Sequence, residues 1–312
     1  MTNFLVTGGA GFIGSHIATA LVERGEQVRV VDNLSSGFRR NLDHLAGKVE
    51  LIEGNAGDAK IMASALEGVE VVYHEAALAS VPASVRDPLR SHAECATATV
   101  NVLTEAHKAG ARRVILAASS AAYGDRPTPI KCEDDPLDPL SPYAAAKIAS
   151  EYYCQAFTKS FGLETVCLRY FNVYGPRQDP TSEYSAVIPI FVSKMLAGER
   201  PTVYGDGLQS RDFVYVADVV QANLLAAEST KAVGQSINVA CGRQATLLDL
   251  IAAVNGALGT EIEPIFAEAR AGDVRDSLAD VSKAKELLGY EPSVDLAEGL
   301  KRSIDYYREI AK

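Results

Sequence analysis

The sequence predicts an α/β fold in which a doubly wound parallel sheet carries a second, smaller α/β domain. Short apolar runs rich in β-branched residues recur through the first half of the chain without polar alternation, which is typical of strands buried on both faces. Amphipathic segments of helical length separate most of these runs and supply the crossovers that parallel strands require. After Asn172, prolines and glycines break this rhythm into loops and short elements, which indicates a change of domain.

The predicted strands can be read in chain order, with segments such as GSHIATALVERG and AKIMASALEG as intervening helices. The strand segments are NFLVTG, QVRVVD, VELIEG, VEVVYH, RRVILAAS and ETVCLRYF, followed much later by SINVA. We expect the first domain to cover residues 1–172 and the second to cover residues 173–312. The late strand near residues 236–240 is expected to return to the first sheet.

Composition and charge argue against several classes of protein. The 312 residues carry a net charge of -10, which repels nucleic acid and anionic membrane surfaces. The 5 cysteines are widely spaced and include no CxxC, so neither a disulfide framework nor a zinc site is expected, and no metal is predicted. No signal peptide or long apolar span is evident, so we expect a cytoplasmic protein.

The segment VTGGAGFIGS follows a predicted strand and opens a predicted helix. It satisfies G-x-G-x-x-G through Gly9, Gly11 and Gly14, and G-x-x-G-x-x-G through Gly8. Such glycines let a pyrophosphate approach the helix N-terminus. Asp32 ends the second predicted strand, where its carboxylate can bind an adenosine ribose and would repel a 2′-phosphate. Because no arginine occupies the next two positions, the pattern favours NAD over NADP.

The segment PLSPYAAAKIASEYY places Tyr143 and Lys147 on one side of a predicted helix, with Ser141 as its cap and Pro142 in its first turn. A nearby ammonium stabilises a phenolate, so Lys147 could make the Tyr143 hydroxyl a usable base. Ser119 ends the predicted fifth strand in LAASSAAYG and is expected to face the same crevice. The three residues predict a catalytic group that removes a proton from a substrate hydroxyl.

With these motifs in place, the sequence resembles the extended short-chain dehydrogenase/reductases over nearly its whole length. It is most similar to their UDP-hexose 4-epimerases, particularly the branch that acts on UDP-N-acetylglucosamine. The similarity extends over TGGAGFIG, AASSAAYG, SPYAAAK, LRYFNVYGPRQDP, AVIP, GDGLQSRDFVYVADV, NVACG and RAGDVRDSLADVSKA.

The resemblance implies a Rossmann domain with bound NAD, a UDP-sugar substrate, and a homodimer built from helices near residues 85–109 and 142–161. It implies that the catalytic residues are Ser119, Tyr143 and Lys147. It implies that NAD contacts Gly8, Gly11, Phe12, Ile13, Gly14, Asp32, Asn33, Gly37, Asn55, Ala56, Ala76, Ala77, Ala79, Tyr143, Lys147 and Tyr170. It implies that the UDP-sugar contacts Ser80, Ser119, Ser120, Tyr143, Asn172, Ala186, Val187, Ile188, Tyr204, Arg211, Arg270, Asp273 and Ser277.

Three positions depart from the pattern of that family. Asn55 replaces a common aspartate, and its carbonyl can still accept a hydrogen bond from the adenine amine. Glu75 stands where an apolar residue is common, and Cys95 stands where an asparagine is common. Neither has a metal-like or base-like partner nearby in the sequence, so we interpret both as features of local packing.

The resemblance also separates the possible reactions. Related dehydratases and decarboxylases carry acidic side chains just after the catalytic serine, whereas this chain has Ser120, Ala121 and Ala122. We therefore expect reversible epimerisation at C4 of a UDP-hexose through a 4-keto sugar. Ser277 stands where family members restricted to non-acetylated sugars have a tyrosine, which predicts room for an N-acetyl group. The alternatives are a UDP-glucuronate 4-epimerase, a net oxidoreductase, and a non-catalytic NAD-binding sensor or scaffold.

Overall fold

The computed structural model describes residues 3–180, 186–269 and 275–310. Its strands are β1 (Asn3–Thr7), β2 (Gln27–Asp32), β3 (Val49–Glu53), β4 (Val71–His74), β5 (Arg113–Ser119), β6 (Ile130–Lys131), β7 (Glu164–Tyr170), β8 (Asn172–Tyr174), β9 (Thr202–Tyr204), β10 (Ser210–Tyr215), β11 (Ser236–Val239), β12 (Gln244–Thr246), β13 (Ile265–Ala267) and β14 (Asp276–Ala279). Its helices are α1 (Phe12–Glu23), α2 (Ala59–Ala65), α3 (Val81–Arg86), α4 (Pro88–His92), α5 (Ala98–Lys108), α6 (Pro142–Phe161), α7 (Val187–Leu196), α8 (Val216–Glu228), α9 (Leu247–Leu258), α10 (Ser282–Leu288) and α11 (Leu296–Ile310).

A seven-stranded sheet in the order β11-β7-β5-β4-β1-β2-β3 forms the centre of the molecule, and its neighbouring strands are parallel. The predicted doubly wound fold is therefore confirmed. The central strands are buried on both faces, as their unbroken apolar runs require. After β1 the chain builds β2 and β3 on one side and then β4 and β5 on the other, so the strand order reverses between β1 and β4.

Two helical layers cover this sheet and form two apolar cores. On one face α1, α8 and α10 contribute Ile17, Val219 and Leu288. On the other face α2 and α5 contribute Met62 and Leu103, and α6 lies beside α5. Both α8 and β11 come from beyond residue 172, so the later part of the chain returns to the first sheet.

The remaining elements form a smaller α/β region above the carboxyl ends of the central strands. Here β12, β10, β14 and β6 lie side by side, β8 pairs with β10, and β13 pairs with β9. Helices α7, α9 and α11 enclose a third core that includes Phe191, Leu250, Leu300 and Tyr307. This core is separate from the two around the large sheet, and the region is therefore supported by apolar packing of its own.

Asp212 on β10 links several segments of this region by hydrogen bonds. Its carboxylate accepts hydrogen bonds from the backbone N–H groups of Cys241 at 2.8 Å, Gly242 at 3.0 Å and Ala279 at 3.2 Å. Burial raises the pKa of this carboxyl to about 6, against the lowering effect of those donors. The fully buried side chain therefore joins β10 to the chain that follows β11 and to β14.

Candidate active site

A cleft of about 650 Å³ lies where the carboxyl ends of the central strands meet the smaller region. This is the crevice in which open α/β sheets bind ligands. Many of the sequence-predicted site residues come together in its wall. They are Phe12, Ile13, Ala77, Ala79, Ser119, Tyr143, Lys147, Tyr170, Asn172, Ala186, Val187, Ile188, Tyr204 and Arg211.

The glycine loop between β1 and α1 is packed so tightly that Gly8 and Gly14 have no room for a side chain. A Cβ atom on Gly14 would lie 2.3 Å from the carbonyl oxygen of Gly8. A Cβ on Gly8 would lie 2.7 Å from the nitrogen of Ala76, and Gly8 also has a positive φ of 67°. Gly11 precedes α1 without a side-chain cap, which leaves backbone donors at the helix start for a ligand. The loop has the shape that a dinucleotide pyrophosphate requires, so these residues fit NAD.

Asp32 lies at the end of β2 beside this loop. Its Oδ2 accepts from the N–H of Ala10 at 2.9 Å, and its Oδ1 accepts from Leu34 at 2.8 Å. A Cβ on Gly37 would lie 3.0 Å from Asp32 Oδ2, so the chain passes close to the carboxylate there. The carboxylate thus fixes the glycine loop from within and keeps acceptor capacity for a ribose hydroxyl.

The neighbouring predicted cofactor residues use their side chains in local turns. Asn33 Oδ1 accepts from Ser35 at 3.0 Å, and Asn55 Oδ1 accepts from Gly57 at 2.7 Å. The Asn55 carbonyl that is expected to bind adenine therefore already accepts a hydrogen bond within a turn. Its second lone pair would have to accept the hydrogen bond from the adenine amine. Ala56 is buried in the core under α2.

Ser119, Tyr143 and Lys147 converge from β5 and α6. Ser141 begins α6 as predicted, because its Oγ accepts from the N–H of Ala144 at 3.2 Å. Lys147 is buried and donates to the carbonyl oxygen of Ala117 at 2.7 Å, and its Nζ lies 6.0 Å from the centroid of the Tyr143 ring. The structure thus brings a phenol, an ammonium and a hydroxyl to one wall of the cleft.

Glu75, which the sequence analysis assigned to local packing, lines the same cleft. Its Oε1 accepts from the Tyr170 hydroxyl at 2.9 Å. Tyr170 in turn accepts from Asn223 Nδ2 on α8 at 2.8 Å. Burial raises the pKa of the Glu75 carboxyl to about 7, although the Tyr170 hydrogen bond and the charge of Lys147 act to lower it.

The other end of the cleft carries the predicted nucleotide contacts. Asn172 Nδ2 donates to the carbonyl oxygen of Asp212 at 3.3 Å. Helix α7 begins after Ala186 without a side-chain cap, and its first residues Val187 and Ile188 face the cleft. Arg211 on β10 donates to the carbonyl oxygen of Ser210 at 2.8 Å. This end therefore combines helix N–H groups with a guanidinium, a pairing that suits phosphate.

Several predicted residues lie elsewhere. Ser80 caps α3, where its Oγ accepts from Ala83 at 3.1 Å, and Ser120 opens the short 3-10 turn after β5. Ser277 on β14 is the register partner of Arg211, although it is not part of the wall of the cleft. Arg270 and Asp273 lie outside the described residues, and their predicted contacts stay predictions.

The cleft also contains residues that sequence reasoning missed. They include Glu75, Phe171, Gln178, Phe191, Lys194, Gln209 and Phe213. Among the residues that the structure describes, the buried Oε1 atoms of Gln178 and Gln209 have no hydrogen-bond partner, so each can accept from a ligand. Both glutamines lie within motifs that carried the family resemblance, which was the signal available for finding them.

Fold and site together define a dinucleotide-dependent α/β enzyme with a serine, tyrosine and lysine at its reacting centre. The family model for the NAD dependent epimerase/dehydratase family matches residues 4–240. The chain belongs to this family, and the predictions of an enzyme and of NAD as its cofactor are confirmed.

Similar proteins cover almost the whole chain. A UDP-glucose 4-epimerase of Mycolicibacterium smegmatis is 39% identical over 308 residues, which are 97% of this chain and 98% of that protein. The structure of a UDP-glucose 4-epimerase from Thermotoga maritima with UDP-glucose is 41% identical, with a TM-score of 0.94 and 100% of both chains covered. A UDP-N-acetylglucosamine 4-epimerase from Methanobrevibacter ruminantium M1, solved with UDP-N-acetylmuramic acid, is 40% identical, with a TM-score of 0.95 and 99% of both chains covered.

Across residues 3–180, 186–269 and 275–310, no group of three His, Cys, Asp or Glu side chains is placed to hold a metal ion. Within the same ranges, no helix has the length and apolar character needed to cross a bilayer.

Proposed function

We propose that this protein interconverts the C4 epimers of a UDP-hexose and retains its NAD throughout the cycle. The observation that carries the proposal is the meeting of Ser119, Tyr143 and Lys147 in one cleft whose far end presents Arg211 and the uncapped start of α7. The glycine loop supports NAD binding at the adjoining edge of the sheet. Similar proteins named UDP-glucose 4-epimerase and UDP-N-acetylglucosamine 4-epimerase support the substrate class.

Tyr143, Lys147 and Ser119 have separate roles in the proposed reaction. Tyr143, as the phenolate, removes the proton from the C4 hydroxyl and later returns it. Lys147 favours the phenolate through its positive charge, and Ser119 donates a hydrogen bond to the C4 oxygen. Bound NAD supplies the acceptor, and then the donor, of the hydride that leaves C4. The sugar passes through a 4-keto form, turns about its bonds to the UDP phosphate, and is reduced from its other face.

The far end of the cleft holds the UDP so that the sugar can turn without leaving. Amides at the start of α7 and the guanidinium of Arg211 bind the pyrophosphate, together with Arg270. Asn172 and Tyr204 contact the nucleotide. Gln178 and Gln209, whose Oε1 atoms lack a partner within the described ranges, accept hydrogen bonds from hydroxyl or N–H groups of the substrate.

Both acetylated and non-acetylated sugars are within the proposed substrate range. Ser277 on β14 pairs in register with Arg211 on β10. The small serine is therefore beside the residue that is proposed to bind phosphate. A serine leaves more space for an N-acetyl group than a tyrosine does. The enzyme is therefore proposed to act on UDP-N-acetylglucosamine as well as on UDP-glucose.

The test is incubation with a panel of UDP-sugars and separation of the C4 epimers by NMR. The expected result is interconversion of UDP-glucose with UDP-galactose, and of the two N-acetylated sugars, without NADH accumulating in proportion to product. Accumulation of NADH in step with product would indicate a dehydrogenase. Conversion of UDP-glucuronate alone would indicate the uronate enzyme, and no conversion of any sugar would favour a sensor or scaffold.

We also propose a homodimer built on the helices near residues 85–109 and 142–161. Apolar side chains are exposed there, with Leu89 83% exposed, Val85 62% exposed and Tyr152 59% exposed. Exposed apolar patches of this kind favour association. Light scattering after gel filtration should give twice the chain mass, and Leu89→Glu should shift the protein toward monomer. A monomeric wild type at micromolar concentration would contradict this proposal.

A further inference from the structure

Glu75 occupies a position in the cleft that packing alone does not explain. It follows β4 directly and lies at the edge of the sheet where the strand order reverses. The Tyr170 hydroxyl donates a hydrogen bond to Glu75 Oε1 at 2.9 Å. Asn223 Nδ2 donates to the Tyr170 hydroxyl at 2.8 Å and to the carbonyl oxygen of Val219 at 2.9 Å. Residues from β7 and α8 thus fix the carboxyl in place. An apolar residue could fill the same space without this network.

The hydrogen bonds around Glu75 can form with either charge state of its carboxyl, and no heavy atom has to move. When the carboxyl is ionised, the Tyr170 hydroxyl donates to it. When the carboxyl is protonated, Tyr170 can donate instead to Asn223 Oδ1, which lies 3.0 Å away. Burial raises the pKa of Tyr170 well above its ordinary value, so Tyr170 stays neutral in both charge states of Glu75.

The positive charge of Lys147 acts on the carboxyl without forming an ion pair with it. Among the ion pairs of the described ranges, none includes this carboxyl. The titratable groups that act on it are Tyr170 from β7 and Lys147 from α6. Tyr143 lines the same cleft, and α8 presents the uncharged Asn223. His74, the preceding residue, is neutral because burial lowers its pKa to about 3. A half-buried carboxyl of this kind is stabilised as an anion when a cation approaches.

We propose that Glu75 is a positioning residue that favours the oxidised form of the bound cofactor over the reduced form. The inference rests on the proposed function, because it takes the hydride to be exchanged beside Ser119, Tyr143 and Lys147, which share the cleft with Glu75. Only oxidised nicotinamide carries a positive charge, so an anion in this part of the cleft stabilises the oxidised form selectively.

This preference would serve an enzyme that must return its cofactor to the oxidised state in every cycle. The hydride returns to C4 and the proton returns to the C4 oxygen, so the cycle needs no outside oxidant. Glu75 would disfavour the reduced enzyme that remains if the keto sugar escapes before it is reduced.

The test is a redox titration of the holoprotein against a dye couple of known potential, followed by the absorbance of reduced nicotinamide. Glu75→Gln keeps the shape but removes the charge, and Glu75→Leu restores the apolar residue of the family. Both should shift the balance toward the reduced cofactor about tenfold, which for a two-electron couple is a midpoint potential about 30 mV higher. Glu75→Asp keeps the charge and should restore most of the wild-type balance.

Glu133→Gln is the matched control. Glu133 is another partly buried glutamate with a raised pKa, but it accepts from the N–H of Asn238 and does not line the cleft. Its variant should leave the midpoint unchanged. A Glu75→Gln midpoint within a few millivolts of wild type, or an equal shift in Glu133→Gln, would overturn the proposal.

The titration needs no sugar, so its result is independent of the proposed epimerase reaction. A second measurement uses calorimetry of NAD⁺ binding to apoprotein near pH 7 in buffers of different ionisation enthalpy. Wild type should release a fraction of a proton on binding, because the cation favours the carboxylate, and Glu75→Gln should release less. Equal proton release by the two proteins would also count against the proposal.

Discussion

The glycine loop and the nucleotide end of the cleft are built in different ways. At the glycine loop, the cofactor side is shaped by backbone: Gly8 and Gly14 have no room for a Cβ, and Asp32 binds the loop across a short stretch of chain. At the nucleotide end, side chains such as Asn172 and Arg211 are held by strands whose partners are far apart in sequence. The cofactor end can therefore be damaged by adding one carbon atom, whereas the nucleotide end depends on tertiary structure.

The largest effect is expected at the reacting centre, where the two ends meet. Tyr143→Phe removes the proposed base and nothing else, so kcat should fall by about a hundredfold to ten-thousandfold while NAD and UDP-sugar still bind. Tyr153→Phe, on an exposed part of the same helix, is the matched control and should keep its activity. Turnover of Tyr143→Phe at the wild-type rate would remove Tyr143 from the mechanism.

The cofactor end is tested by Gly14→Ala. The added Cβ would lie 2.3 Å from the carbonyl oxygen of Gly8, so the loop must shift. Overpacking of this kind costs about 1–3 kcal/mol, which predicts NAD affinity roughly ten to a hundred times weaker. Gly256→Ala is the control, because nothing lies within 4 Å of a Cβ at that helical position. Its stability should rise by up to about 1 kcal/mol. Unchanged NAD affinity in Gly14→Ala would show that the loop is not a tight cradle.

The nucleotide end is tested by Ser277→Tyr. If the small side chain leaves room for an N-acetyl group, the larger one should lower kcat/KM for UDP-N-acetylglucosamine about tenfold relative to UDP-glucose, within the range of about 1–3 kcal/mol for overpacking. Ser277→Ala controls for loss of the hydroxyl and should leave the ratio unchanged. A ratio of the two kcat/KM values that does not move in Ser277→Tyr would exclude Ser277 as the determinant of substrate breadth.

The stability of the apoprotein, as distinct from its activity, is expected to depend on pH through Glu75. Burial raises the pKa of Glu75 from an ordinary 4.5 to about 7, so the native state binds this proton more tightly than the unfolded state does. The resulting stabilisation is complete below about pH 4.5 and is lost as pH rises through about 7. Relative to Glu75→Gln, wild type should therefore lose about 1–3 kcal/mol of unfolding free energy between pH 5 and pH 8.

Urea unfolding of both apoproteins at several pH values measures this difference. Glu133→Gln again serves as a comparison for a partly buried glutamate outside the cleft. Parallel pH profiles for wild type and Glu75→Gln would mean that the carboxyl has an ordinary pKa in the folded protein.

The sequence predicted those parts of the site that depend on local structure. Tyr143 and Lys147 are neighbours on one helix, and the glycines act within one loop, so spacing along the chain was sufficient. The interpretation of Glu75 as local packing was incomplete, because its partners Tyr170 and Asn223 come from β7 and α8. No pattern near residue 75 reports such a contact. Asp212 is similar, since its three backbone donors become visible only when distant strands are assembled.

The return of β11 to the edge of the large sheet has a consequence for protein engineering. A chimera that exchanged everything after residue 172 would remove α8 and β11 from the Rossmann half together with the proposed substrate contacts. The graft would also cut the contacts of β11 with Cys167, Leu168, Arg169 and Tyr170 on β7. Substrate preference in this enzyme therefore has to be transplanted as several short segments around a retained α8 and β11, and a single C-terminal cassette would carry part of the NAD-binding framework with it.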